Sequence, residues 1–121
     1  MSDIYQEFIM EVYKNPLNFG KLEKADFKAV SLNPLCGDKI ELYIRLENGK
    51  IKDVRYTGSG CAISQVSASL FTEFLKGKTP EEAKALKKED ILRLIKIDLS
   101  KNPSRMKCAL LSLEVLKKAI L

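Results

Sequence analysis

Apolar residues recur along this chain with two periods, and the change from one to the other divides it. Ile4, Phe8, Ile9, Val12 and Tyr13 fall at helical spacing as far as Asn15-Pro16, where proline restricts the residue before it, so a short amphipathic helix opens the chain. From Phe27 to Leu32 a β-prone segment runs into Asn33-Pro34. After Gly37 the apolar residues Ile40, Leu42, Ile44 and Leu46 alternate with polar or amphipathic ones, which predicts a strand with one buried face. Asn48-Gly49 separates that strand from a second β-rich run, Ile51 to Thr57; both turn residues tolerate positive φ, so the pair predicts a hairpin. The phase shift between Ile51 and the pair Val54/Tyr56 predicts a bulge, and Gly58-Ser59-Gly60 ends the sheet.

Helical spacing then takes over. Ile63, Val66, Ser67, Leu70 and Phe74 share one face of a segment that begins near Cys61 and ends at Gly77. Thr79-Pro80-Glu81-Glu82 combines an N-cap, proline at the first helical position and a capping-box acid, which starts another helix. A short helix is expected over Asp90 to Lys96, burying Ile91, Leu94 and Ile95. Asn102-Pro103 repeats the cap-plus-proline start, and Leu110, Leu113, Leu116 and Ile120 supply the stripe of a terminal helix. Strands first and helices afterwards indicate an α+β fold, a small three-stranded antiparallel sheet with helices packed on one face. With no internal repeat, low-complexity tract or linker, a single domain is expected over residues 1–121.

Composition narrows the chemistry. Hydrophobic residues make up 45% of the chain, enough for one core, and no run approaches the ~20 apolar residues of a membrane helix. The opening MSDIYQEF carries acids where a secretory signal carries a basic stretch, so a cytoplasmic protein with no membrane association is expected. The net charge of +5 raises the question of nucleic acid. Lys and Arg are interleaved with Asp and Glu, as in Glu81, Glu82, Lys84, Lys87, Lys88, Glu89 and Asp90, and no basic run alternates with aromatics that could stack on bases. No nucleic-acid partner is expected.

The chain has three cysteines and no histidine. An odd number of thiols in a reducing compartment does not make a disulfide framework, and a soft-metal site here must use thiolates and carboxylates. A lone cysteine is by default a small buried hydrophobe. The settings of these three argue otherwise. Cys36 lies in the turn Asn33-Pro34-Leu35-Cys36-Gly37-Asp38, Cys61 follows Gly58-Ser59-Gly60 at a helix start, and Cys108 follows Pro103-Ser104-Arg105-Met106-Lys107 in the opening turns of the last helix. Two thus sit near a helix N-terminus, where unpaired N–H groups favour an anion, and Arg105 and Lys107 add positive charge. Asp38, two residues after Cys36, either brings a carboxylate to a common site or serves as a turn or strand-start residue.

Three ordered motifs, Asn-Pro-Leu-Cys-Gly-Asp, Gly-Ser-Gly-Cys-Ala-Ile-Ser-Gln-Val-Ser-Ala-Ser-Leu and Pro-Ser-Arg-Met-Lys-Cys-Ala, resemble those of the U-type iron–sulfur cluster assembly scaffolds, IscU, SufU and the N-terminal domain of NifU. Tyr13-Lys14-Asn15-Pro16-Leu17-Asn18-Phe19-Gly20 is similar to the family's segment after its first helix, and the likeness runs from about Tyr5 to the C-terminus. The resemblance implies that Cys36, Cys61 and Cys108 are cluster ligands or sulfur acceptors and that Asp38 is their acidic partner. It implies a transient iron–sulfur cluster, of the [2Fe-2S] type, or alternatively Zn2+. The partners it implies are a cysteine desulfurase that donates sulfur and acceptor apoproteins that take the cluster, the chain itself being a monomer or weak homo-oligomer and a scaffold rather than an enzyme.

The chain differs from both main branches. IscU members carry a His before the third Cys and a Leu-Pro-Pro-Val-Lys segment that recruits a dedicated Hsc-type chaperone. Here Lys107 and Leu99-Ser100-Lys101-Asn102-Pro103-Ser104-Arg105 stand in those places, so such a chaperone is not implied. SufU members share the Pro-x-Arg-x-x-Cys context and carry an insertion before the third motif that this chain lacks. Three functions are therefore weighed: a cluster scaffold, a zinc-dependent sulfurtransferase, and a structural zinc or adaptor module. All can use one ligand set, since sulfur-rich tetrahedral sites suit both zinc and iron–sulfur clusters.

Overall fold

The sheet is an antiparallel meander of β1 (Phe27–Asn33), β2 (Asp38–Glu47) and β3 (Lys50–Ser59), with β2 in the middle. It belongs to a computed structural model that describes residues 3–33, 37–95, 99 and 101–120. Asn48 and Gly49 turn β2 into β3 with φ of 55° and 76°, the left-handed pair that matches the twist of a two-residue hairpin. The expected bulge is present: Arg45 pairs with Asp53 but Leu46 with Ile51, so Lys52 is the extra residue. That extra residue corrects the alternation, and Ile51 and Val54 both face the core.

The core lies on one face of the sheet. Ile40, Leu42 and Ile44 of β2 join Ile51, Val54 and Tyr56 of β3, and helices cover them. Of these, α1 (Asp3–Lys14) packs on α2 (Ala62–Leu75), which contributes Phe71 and Leu75 to the core. A single turn, α3 (Pro80–Lys84), and α4 (Lys88–Ile95) lead to α5 (Pro103–Ala119), which crosses β1 and β2 and packs on α2 and α4. The capping box at α3 forms as expected: Glu82 N–H donates to Thr79 Oγ1 at 3.2 Å and Thr79 N–H to Glu82 Oε1 at 3.0 Å. No helix among the described residues is long and apolar enough to cross a membrane.

Four helices differ in detail from their sequence patterns. In α2, packed on both β3 and α5, Leu70 and Phe74 are only half-buried while Phe71 and Leu75 fill the core. Helix α4 starts at Lys88, two residues before Asp90, with Leu94 half-buried and Lys96 outside the described residues. In α1, Ile9 is buried but Tyr13 is exposed, because the helix meets essentially one neighbour and needs only a narrow stripe. In α5 burial is wider than the predicted stripe, extending to Cys108, Ala109, Leu111, Ser112 and Val115, because the helix is wedged between the sheet and two other helices. Between α1 and β1 the chain closes the edge of β3: Gly20 N–H donates to Tyr56 O at 2.8 Å and Tyr56 N–H to Asn18 O at 3.0 Å.

Candidate functional site

Three motif segments meet at one end of the sheet. β1 and β2 are joined by only four residues, 34–37, and their last pair in that direction is Asn33 opposite Asp38. Gly37 N–H donates to Asn33 O at 2.8 Å with φ of 72°, closing the ends of the segment that carries Cys36. Cys36 itself lies outside the described residues, as do Pro34 and Leu35.

Asp38 is fully buried. Its Oδ1 accepts the Cys61 N–H at 2.6 Å, whereas Oδ2, equally buried, has no hydrogen-bond partner among the described residues. A buried carboxylate oxygen without a donor is costly, so this atom calls for a cation or a proton donor that the described residues do not supply. Asp38 does start β2, as one of the alternatives had it, but its bond is not that of an Asx turn, since it reaches 23 residues along the chain rather than two.

Cys61 is the N-cap of α2, with φ of −61° and ψ of 142°, and its side chain makes no capping bond. The amide of Cys61 itself donates to Asp38, and the Cys61 carbonyl accepts from Ser64 Oγ at 2.8 Å. The half-buried thiol does not engage the N2 or N3 amide that an N-cap side chain usually serves.

Cys108 lies deeper than the sequence suggested. It is the sixth residue of α5, past the first turn where a helix terminus acts on charge, so the favourable end effect applies to Cys61 and not to Cys108. It is 2% exposed, within a small apolar cluster of Ile63, Ile95, Leu99 and Ala109 against which Cys61 and Met106 also pack. Asn33 Nδ2 lies 3.9 Å from its Sγ as donor. These four residues are thus linked in a row: Cys108 to Asn33, Asn33 paired with Asp38, and Asp38 bonded to Cys61. Arg105 and Lys107 are exposed on the same helix turn. Nearby on β2, the Tyr43 hydroxyl donates to Glu41 at 3.0 Å and, with Lys39, holds that carboxyl below its usual range.

Among the described residues no three Cys, Asp or Glu side chains close on a common point for a metal ion. Asp38, Cys61 and Cys108 are brought to one end of the fold without forming a finished cage. The donor chemistry nonetheless fits a soft ion or a sulfide cluster: thiols, one orphaned carboxylate oxygen and no imidazole anywhere in the chain. Sequence reasoning missed two members of the neighbourhood, Asn33 and Gly60. The short β1–β2 link already implied that Asn33 faces Asp38, but nothing local signalled that Gly60 abuts the Asp38 backbone, where a Cβ would sit 2.8 Å from its Cα.

Fold and donor set define a class: a small α+β domain presenting thiols and a carboxylate from three separate segments. The chain belongs to the family described as NifU-like N terminal domain, which matches residues 4–121. It is 37% identical to the zinc-dependent sulfurtransferase SufU of Bacillus subtilis, covering 99% of this chain and 91% of that protein. It is 35% identical to the iron-sulfur cluster assembly scaffold protein IscU of Escherichia coli, covering 96% and 91%. The Bacillus alignment spans 136 positions, more than the 121 residues here, so that relative carries residues this chain lacks. Among solved structures, FiSufU of Fervidobacterium islandicum superposes with a TM-score of 0.81 at 34% identity, over 98% of this chain and 97% of that one. The N-terminal NifU-like protein of Brucella abortus gives 0.80 at 23%, a likeness of fold, over 98% and 92%.

Proposed function

We propose that this protein is a cytoplasmic iron–sulfur cluster assembly scaffold whose cargo is held by Cys36, Asp38, Cys61 and Cys108. The observation that carries the reading is the buried, unpartnered Oδ2 of Asp38 beside the N-cap cysteine of α2. A structural zinc site is closed and fully ligated, whereas a scaffold must release what it builds, and a hard carboxylate among thiolates offers the weaker, more exchangeable bond. Sulfur enters from a cysteine desulfurase: a scaffold thiolate attacks the terminal sulfur of the donor's persulfide, the S–S bond breaks, and the donor cysteine leaves as thiolate. Cys61, at the surface end of the apolar cluster, is the better placed acceptor, and buried Cys108 the better placed anchor. The cargo is a [2Fe-2S] cluster, passed on to acceptor apoproteins, and the scaffold works as a monomer or weak homo-oligomer without a dedicated chaperone.

A second reading, sulfur transfer at a bound Zn2+, is favoured by the 37% identity to the Bacillus sulfurtransferase. Anaerobic reconstitution with iron and sulfide, followed by timed transfer to an apo-ferredoxin, separates the two. The scaffold forms a visible-absorbing cluster and transfers it, and Asp38→Ala assembles a cluster but transfers it more slowly. Failure of the wild type to assemble any cluster, with tight Zn2+ retained, refutes the scaffold reading. Equal transfer rates and cluster lifetimes in wild type and Asp38→Ala remove Asp38 from the mechanism.

A further inference from the structure

We propose that the two oxygens of Asp38 have separate tasks, Oδ1 holding the amide of Cys61, the N-cap of α2, and Oδ2 serving the metal, and that Gly60 is the positioning residue that enforces this division. The inference rests on the reading of Asp38 as a ligand and adds to it which atom binds and what keeps that atom in place. Asp38 reaches Cys61 from another strand because the residue between them in space has no side chain. A Cβ on Gly60 would meet Asp38 Oδ1 first and lie 2.8 Å from Asp38 Cα, closer than the backbone can absorb without moving, with Cγ at 3.1 Å. Gly60 also has φ of 109°, a conformation that L side chains rarely adopt. The chain therefore turns sharply at Gly60, presses against Asp38, and delivers the Cys61 N–H to Oδ1 at 2.6 Å.

This bond fixes the rotation of the carboxylate and couples it to Cys61. A free carboxylate would choose between one-oxygen and two-oxygen ligation. Here Oδ1 is turned to the Cys61 amide, so Oδ2, which has no partner among the described residues, is the oxygen Asp38 offers first to a metal, and the ligand it presents is tied to the helix that carries the neighbouring thiol. Outer-shell partners of this kind are worth about 10- to 100-fold in metal affinity. Gly60 thus contributes to metal binding without donating an atom.

Two readouts on the full chain test this. The first is amide hydrogen exchange at Cys61 in the metal-free protein. Asp38→Asn keeps an amide oxygen for Oδ1 and should retain protection of the Cys61 amide, while Asp38→Ala and Gly60→Ala should lose it. The second is Zn2+ affinity by chelator competition. Asp38→Asn and Asp38→Ala should weaken Zn2+ alike, since both remove Oδ2, and Gly60→Ala should weaken it about 10- to 100-fold in the wild-type background but by less than about twofold in the Asp38→Ala background. An equal loss from Gly60→Ala in both backgrounds overturns the inference, because Gly60 would then act through the fold or through Cys61 alone. So does loss of Cys61 protection in Asp38→Asn, a test that holds even where Gly60→Ala does not fold. Unchanged Zn2+ affinity in Asp38→Ala refutes instead the reading of Asp38 as a ligand, and with it the task assigned to Oδ2.

Discussion

Removing the metal from a zinc-loaded sample should soften this protein without unfolding it. The larger buried cluster, formed by the inner face of β2 and β3 with Phe71, Leu75, Leu111 and Leu116, contains none of the candidate donors. Cys108 belongs to the smaller cluster with Ile63, Ile95, Leu99 and Ala109, Cys61 packs at its margin, and Asp38 is bonded to the Cys61 amide. The hairpins and the α2–α5 packing therefore keep their apolar driving force when the site is emptied. A ligand held at 100 times its Kd stabilises the native state by about 2.7 kcal/mol. At roughly 4 °C per kcal/mol for a chain of this length, chelation lowers Tm by about 11 °C. Far-UV circular dichroism with and without chelator measures this, and hydrogen exchange localises it: protection should fall at the start of α2 and hold in β2 and β3. Complete loss of the dichroism signal at room temperature would falsify the reasoning, because the metal would then be holding the fold as in a structural zinc domain. An unchanged Tm would mean that no metal prefers the native state at all.

The other expectations are smaller in scope. Replacing Cys36, Cys61 or Cys108 singly by Ser should sharply weaken Zn2+ and cluster binding, and full occupancy in all three variants would place the site elsewhere. Cys108→Ser should also cost fold stability relative to Cys61→Ser, about 1–3 kcal/mol, because it puts a hydroxyl into an apolar cluster; urea denaturation of the metal-free proteins checks the difference. Phe71, a fully buried α2 residue of the larger cluster, should cost about 3–5 kcal/mol as Phe71→Ala by the same denaturation, with metal stoichiometry unchanged in the folded fraction. Glu82 and Asp90 are held below their ordinary values of 4.5 and 3.8, Glu82 first by the Thr79 backbone amide and Asp90 first by that of Lys87. Their stabilisation is complete above those ordinary values and is lost as pH falls through the lower folded ones. Tm measured from about pH 6 to about pH 2 should therefore drop on the acid side, and Glu82→Gln should flatten part of that drop.

Period and turn chemistry made most of the secondary structure legible. Alternation in Ile40 to Leu46, the Asn48-Gly49 turn, the phase slip answered by the bulge at Lys52, and the cap at Thr79 are local instructions, each satisfied by bonds between residues close in the chain. Cys36, Asp38 and Cys61 stand out as candidates for the same local reason, their turn and helix-start settings, while Cys108 stands out by its motif alone, since it lies past the first turn of α5. Sequence could not give the depth of Cys108, since burial on α5 is set by what lies on both sides of the helix rather than by its own stripe. Nor could it divide the oxygens of Asp38. That depends on a close approach between β2 and the turn before α2, 23 residues apart, where Gly60 admits the carboxylate to the Cys61 amide. Local propensity specifies which residues turn, pair or coil; which polar atom is left without a partner is decided only when distant segments pack.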